Sequence, residues 1–598
     1  MTEPAAAPVR PRGRRHLLPA ALVGLAAALA CGCATVPTSG QALPVAQPKN
    51  GTNQGADFPQ LIPAPPGKDW SPVQIVSGFL AASASFAGNH SVARQYLVPG
   101  KAQSWRPGWA VSVVSQPVIQ RVNNAPPRAL GASADSVAGV SVSGQELASL
   151  NASGQYQTPN PSASAKTIVF KLVKVRGQWR IVDPPRRLLL SNSEFHRVYQ
   201  SRDLYYYGTG SDVLVPDPVF VPLQAATKDL ATGLVTALEQ EPVGWLQGAT
   251  ETRFPPGTKL ISLVPEGSEA VVNLGGPVAK ADPATIRDMA GQLVWTLMPP
   301  RSAITSIRFE VNGVPVAGSL GGVELRKKFD GVPTIPSNAP LYFVGKNGTV
   351  QRLPASGAAQ PAAVPGPAGT GAFPMNTVSV TPDSAPQQAV AGISTNGRLV
   401  YYGPFTRGAK LRSWRPGGMA TSLSWDRYGD LWVATSKGIW LLRPGRQVPI
   451  AVDDNLASNQ RVTALRVAPD GVRLAMIVHD SKGSQVMIAA ISYHLTSASM
   501  GPSVRIGASV VDPAALSWYD ADDLAVLSQP GAVGAEIEQV PVNGGPVALI
   551  GAEPRAISLA TAGPQIVAGL PGGRLVIFTA STASWRPLPP GQNPVYPG

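Results

Sequence analysis

From residue 378 onward the chain keeps returning to one short pattern, an apolar run that ends close to an aspartate. It is seen as Val378-Ser-Val-Thr-Pro-Asp383, Leu423-Ser-Trp-Asp426, Leu465-Arg-Val-Ala-Pro-Asp470 and Leu516-Ser-Trp-Tyr-Asp520, with Ile557-Ser-Leu559 as a fifth start. Successive starts lie about 41 to 51 residues apart. Turn pairs fall between the intervening strands: Asn347-Gly348, Asn396-Gly397, Lys437-Gly438, Lys482-Gly483 and Gly572-Gly573. Two Ser-Trp-Arg-Pro segments, beginning at Ser413 and Ser584, are about four periods apart. A period of ~40–50 residues with three or four short strands each is the mark of a β-propeller. A single unit leaves a sheet face bare; its neighbours cover it, and closing the ring limits free edges. Residues 341–364 read as the outer part of one more unit. The expectation is a propeller of about six blades over 333–598, with seven as the alternative.

Upstream, the pattern changes to α+β, so the whole reads as a multidomain chain with α+β units followed by an all-β one. In 196–332, Asp203-Leu-Tyr-Tyr-Tyr207 and residues 214–221 read as strands, and 223–239 as a helix with Leu230, Leu234 and Leu238 on one face. Strands follow at 260–264 and 270–274. Asp282 suits the N-cap of a helix striped by Ile286, Met289, Leu293 and Leu297, with Pro283 in its first turn. Asn312-Gly313 closes a final hairpin with the pair that type I′ turns prefer. In 70–195, Val73, Ile75, Val76, Phe79 and Leu80 predict a helix, with a second short one at 92–97. Strands are expected at 109–114, 137–142, 167–175 and 179–182, the last two joined tightly through Arg176-Gly177-Gln178.

The N-terminus is an export signal. Arg10, Arg12, Arg14 and Arg15 precede an uncharged apolar run over 17–30, then small residues. As a helix that run spans roughly 21 Å, short of a ~30 Å hydrocarbon core. Ala30-Cys31-Gly32-Cys33 resembles a bacterial lipobox, in which a peptidase cuts before a diacylated cysteine. Small residues precede both cysteines, but Cys33 is the expected lipidation site. Gly32 precedes it, and turn-forming Thr35, Pro37, Thr38, Ser39 and Gly40 follow. Ala30 stands where the lipobox usually has a larger aliphatic residue. The plainer alternative is an ordinary cleaved signal with two incidental cysteines. Residues 1–32 are thus the signal peptide and 33–69, rich in Pro, Gly, Gln and Asn, a solvated tether.

These are the only two cysteines in 598 residues, so an acylated Cys33 leaves no thiol for a disulfide. The chain must fold on hydrophobic burial, which its length permits. The net charge of +14 is scattered, with no basic run longer than Arg326-Lys327-Lys328, which argues against nucleic acid.

The search for chemistry is mostly negative. The five histidines, His16, His90, His196, His479 and His494, form no HxH or HExxH spacing, and there is no phosphate loop or strand-elbow-helix Gly-x-Ser-x-Gly. No catalytic, cofactor-binding or metal-ligating residue is expected. His90, in a Gly-Asn-His connection, reads as a solvated loop residue. Asp453-Asp454 and Asp520, Asp522 and Asp523 are expected to solvate turns rather than hold calcium. Trp425, Trp432, Trp440 and Trp518 fall at strand positions, where packing outweighs sugar stacking.

Several resemblances organise these pieces. Helices followed by a curved sheet ending in Gly177-Gln-Trp-Arg-Ile-Val-Asp-Pro-Pro185 resemble the NTF2-like fold. The Tyr-rich strand, Pro-Pro-Gly-Thr258, Val271-Val-Asn-Leu274 and Gln292-Leu-Val-Trp-Thr-Leu297 resemble the GerMN domain of sporulation and germination proteins. The segment from Asp426 to Ile439 resembles propeller repeats in the extracellular sensor regions of two-component kinases. Its likeness to the sialidase Asp-box fails by one glycine position. Taken in order, and with Gly32-Cys33-Ala-Thr-Val-Pro-Thr-Ser-Gly40 and Phe195-His-Arg-Val-Tyr199, the chain resembles the actinobacterial LpqB lipoprotein family. That resemblance implies a lipid-anchored, extracytoplasmic accessory of the MtrA–MtrB two-component system, touching the extracellular domain of the MtrB-like sensor histidine kinase and influencing cell-wall homeostasis and division. It implies palmitate-type acylation at Cys33 and no enzymatic activity, and it carries no residue-level partner site. The competing class is a cell-wall polymer binder, or a propeller lyase or hydrolase, the latter disfavoured by the scarcity of histidine.

Overall fold

The repeats fold into six sheets arranged as a closed ring. In the computed structural model the second blade is Met375–Val380, Ala389–Ser394, Val400–Pro404 and Arg412–Trp414, and the third, fifth and sixth follow the same four-strand antiparallel path. The fourth adds Val504–Ile506 to its third strand. The structure describes residues 63–598 apart from short segments, the longest being 123–135, 158–165 and 317–328.

The first blade is composite. Leu341–Val344, Val350–Leu353 and Ala362–Ala363 form its outer strands, and the innermost is Gln592–Val595, from the far end of the propeller sequence. That strand also packs against the innermost strands of the second and sixth blades, which seals the ring.

Side chains explain why the repeat carries Trp, Ser and Asp. Trp425 Nε1 donates to Ser379 O (3.2 Å) and Trp518 Nε1 to Arg466 O (3.2 Å), each from the innermost strand of one blade to that of the blade before. Ser424 Oγ accepts from Val467 N (3.0 Å), and Thr561 Oγ1 donates to Trp518 O (2.7 Å). Adjacent blades are therefore tied by hydrogen bonds as well as by apolar packing. The aspartates sit in the turn after the innermost strand. Asp426 Oδ1 accepts from Tyr428 N and Asp430 N (both 2.9 Å), and its Oδ2 from Trp432 Nε1 (3.0 Å) and Tyr493 Oη (2.9 Å). Trp432 is fully buried and Trp440 packs on Trp414, so these indoles belong to the propeller's core.

The GerMN-like part pairs the long strands Tyr199–Gly208 and Leu214–Pro222, then builds a second sheet from Lys259–Glu266, Glu269–Gly275, Ser306–Val311 and Val314–Pro315. The helix Pro283–Leu297 is the crossover between parallel Glu269–Gly275 and Ser306–Val311. Asp282 caps it, accepting from Thr285 N (2.9 Å), with Pro283 in the first turn. Asn312 and Gly313 both have positive φ (50° and 78°), as a type I′ turn requires.

The N-terminal part packs Pro72–Ser83 against two four-stranded sheets. Ser71 and Gln74 form a capping box at that helix's start. Its first sheet holds three of the expected strands and Val118–Val122, which periodicity did not single out; Glu146–Leu150, Leu188–Ser191 and the helix Pro99–Ser104 were likewise not foreseen. The expectation for His90 is corrected. It is 5 % exposed, its ring 4.7 Å from that of Phe86 and 5.6 Å from that of Trp105, and burial pushes its pKa down. The left-handed backbone at His90 (φ 58°) turns the ring inward rather than to solvent.

Candidate functional site

Cys33, the expected lipidation site, and its competitor Cys31 lie outside the described residues, as do the signal peptide and most of the tether. No described helix is long and apolar enough to cross a membrane.

Segments flanking the propeller pack beside its innermost strands. Ile335, from the segment entering the propeller, and Val595, Tyr596 and Gly598 from its end reduce the space beside Trp518 and Arg466 to about 20 Å³. That is room for about one water. Gly598 N donates to Val380 O (3.0 Å), which fixes the end of the chain across the second blade. Arg466 is spent inside the wall: Nη1 donates to Ser422 Oγ, Leu423 O and Leu465 O, and burial lowers its pKa to about 10.

Of the aspartates considered for calcium, Asp454 and Asp520 are engaged in turns, whereas Asp522 and Asp523, expected to be solvated, are drawn into the interior, where burial raises their pKa values. Asp454 Oδ1 accepts from Leu456 N (3.2 Å), and Asp520 Oδ1 from Asp522 N (2.9 Å) and Asp523 N (2.8 Å). No group of three His, Cys, Asp or Glu among the described residues could hold a metal ion.

The notable chemistry lies where the three parts meet. Val215, Leu246 and Ala249 of the GerMN-like part share an apolar cluster with Val472 and Ala490 of the fourth blade. Tyr156 of the N-terminal part packs on Phe195 and Phe220. A Cβ on Gly544 would lie 2.5 Å from Tyr156 Cδ1, so the propeller loop can approach that ring only as glycine. Asn543 Nδ2 donates to Ser201 Oγ (2.7 Å), tying the same loop to the GerMN-like part.

Charged groups are buried at this junction. Asp217 sits in a strand whose every residue is buried and is itself 3 % exposed. Gln155 Nε2 donates to its Oδ2 (3.1 Å) and to Val243 O (2.8 Å), and Asn151 Nδ2 holds Gln155 Oε1 (2.9 Å). Oδ1 of Asp217 accepts no hydrogen bond from a described residue. Burial pushes the Asp217 carboxyl up to about 7, against the pull of Gln155. Nearby, Arg473 (1 % exposed) pairs its Nε with Asp470 Oδ2 (2.7 Å), donates from Nη2 to Ala521 O (2.6 Å) and lies 4.9 Å over the Trp518 ring. Its charge is also felt by Asp203 and Asp522, whose pKa values burial raises. Between these parts lies a cavity of about 330 Å³, lined among others by Gln155, Tyr156, Asp217, Trp245, Arg505 and Asn543.

None of these junction residues was singled out as functional from the sequence. One signal was present: Asp217 stands between two prolines inside the apolar run Leu214–Pro222, where an exposed aspartate has no reason to be.

Comparison with known proteins places each part. Residues 65–196 match the model of the lipoprotein LpqB N-terminal domain, 203–317 that of sporulation and spore germination, and 348–597 that of the lipoprotein LpqB beta-propeller domain. Lipoprotein LpqB of Thermobifida fusca is 31 % identical, the match covering 96 % of this chain and 97 % of the relative. Its namesake in Streptomyces avermitilis is 28 % identical, over 98 % and 99 %. Among solved structures, the crystal structure of TolB from Acinetobacter baumannii aligns with 47 % of this chain and 75 % of its own, at 15 % identity and a TM-score of 0.35, a level that says nothing of function. With its order of parts and its near-full-length match at that identity, the chain belongs to the LpqB lipoprotein family.

Proposed function

We propose that this lipoprotein is a non-enzymatic accessory of an MtrB-type sensor histidine kinase. It is held to the outer face of the cell membrane by a diacylated Cys33 and bears on cell-wall homeostasis and division. The observation that carries this reading is the fastening of the three parts at one buried junction. A partner that biases a kinase must bind two of its states with different affinity. That calls for a surface whose parts keep a fixed spacing. Tethering raises the local concentration of a membrane-bound partner, so modest affinity suffices.

The test uses the compact unit 61–598. It is titrated calorimetrically into the extracellular domain of the kinase at two salt concentrations, with cell-wall fragments and product analysis in parallel. Saturable kinase binding without any product is expected. No kinase binding at high concentration, together with saturable binding or cleavage of wall fragments, overturns the reading in favour of a wall-polymer protein.

A further inference from the structure

We infer that the cavity at the three-part junction is a binding site for a small uncharged saccharide. The observations are chemical. At about 330 Å³ the cavity sits at the low end of the ~300–1,000 Å³ typical of ligand pockets, enough for one or two sugar rings and too little for a polymer. Asp217 lines it with a carboxyl that is 3 % exposed and has one oxygen, Oδ1, without a hydrogen bond from a described residue. An acceptor left open at a cavity wall is ready for a donor from a ligand.

Two further groups on the wall match hydroxyls. The Trp245 indole N–H and the Tyr156 hydroxyl make no hydrogen bond to a described residue, and both rings line the space. Gln155 and Asn543 are already committed, to Asp217 and Val243 and to Ser201 and Gly545, so they hold the wall in place. The Asp217 acceptor, the Trp245 and Tyr156 donors and two aromatic surfaces suit a ring with hydroxyls at its edge and C–H groups on its faces.

Charged alternatives fit less well. A cation would share the cavity with Arg505, and an anion would share it with Asp217. The site is independent of the kinase reading: sugar occupancy and kinase binding are separate measurements on the same protein.

Saturation-transfer NMR on the compact unit 61–598 tests the inference with glucose, N-acetylglucosamine and cellobiose as probes. Putrescine and glutarate serve as cationic and anionic controls. Saturable binding of at least one sugar, stronger than of either control, is expected. Asp217→Asn, which keeps the shape and replaces the free acceptor, and Trp245→Phe, which removes the N–H together with part of the ring surface, should each weaken it about tenfold. Thermal unfolding confirms that both variants remain folded. No saturable sugar binding up to tens of millimolar, preference for putrescine or glutarate, or sugar binding indifferent to both substitutions would each overturn the inference.

Discussion

Arg473 joins its own blade to the next one at the face where the other parts dock, and replacing it tests whether buried charge is balanced there. The guanidinium is 1 % exposed and its partner Asp470 wholly buried, with 2.7 Å between Nε and Oδ2. Arg473→Met fills most of the volume but strands the carboxylate. Breaking a buried pair from one side costs ~3–5 kcal/mol. The bond to Ala521 O and the contact with the Trp518 face go with it, though effects sharing one side chain do not add in full. At ~2–4 °C per kcal/mol for a unit of this size, the propeller's melting temperature should fall by about 6–20 °C. The diagnostic step is Asp470→Asn in the Arg473→Met background. The new amide oxygen still accepts from Val472 N and Arg473 N, the bonds Oδ1 makes now, while the orphaned charge is gone. The double variant should therefore melt above Arg473→Met alone. Scanning calorimetry on 61–598 reads both. A double variant at or below the single one would refute the reasoning, because the loss would then stem from packing rather than unbalanced charge.

Two further outcomes are expected. Burial raises the folded-state Asp217 carboxyl to about 7, above its unfolded value near ~4. The folded protein therefore holds the proton more tightly between those values, and this group's contribution falls as pH rises from ~4 through ~7. Asp217→Asn should flatten the decline in melting temperature between pH 5 and 8, and equal slopes for variant and parent would contradict the assignment. At the N-terminus, Cys33→Ala should release the protein from membranes or leave uncut precursor, whereas Cys31→Ala should change little. Normal lipid labelling of the Cys33 variant would place the anchor elsewhere, since stable attachment needs the two chains of a diacylglyceryl group.

What was legible in the sequence is what repeats or is local. Asp426, Asp470 and Asp520 recur because each closes the same turn, and Asp282, Pro283, Asn312 and Gly313 announce a helix start and a hairpin within a few residues of themselves. The strands Val118–Val122 and Glu146–Leu150 are short and mixed in polarity, so their pairing, not their periodicity, defines them. His90 looked solvated because its burial comes from Trp105, which a separate turn brings over it. The junction was hidden for the same reason on a larger scale. Gln155, Asp217, Trp245, Arg473 and Asn543 come from all three parts, and nothing in any one segment says that they meet. Asp217 was the exception that could have been noticed.

The composite first blade has a consequence in time. Its outer strands are synthesised before the other five blades, but its innermost strand, Gln592–Val595, is made after all of them. Until that strand arrives, Leu341–Val344 keeps a bare edge. Pairing across some 250 residues of chain is slow to find, and exposed strand edges are what aggregation exploits. The propeller is thus a ring that locks only once its last strand in sequence has been made. Without Gln592–Val595, Leu341–Val344 would present an open sheet edge, a defect that proteases acting on unfolded segments are well placed to remove.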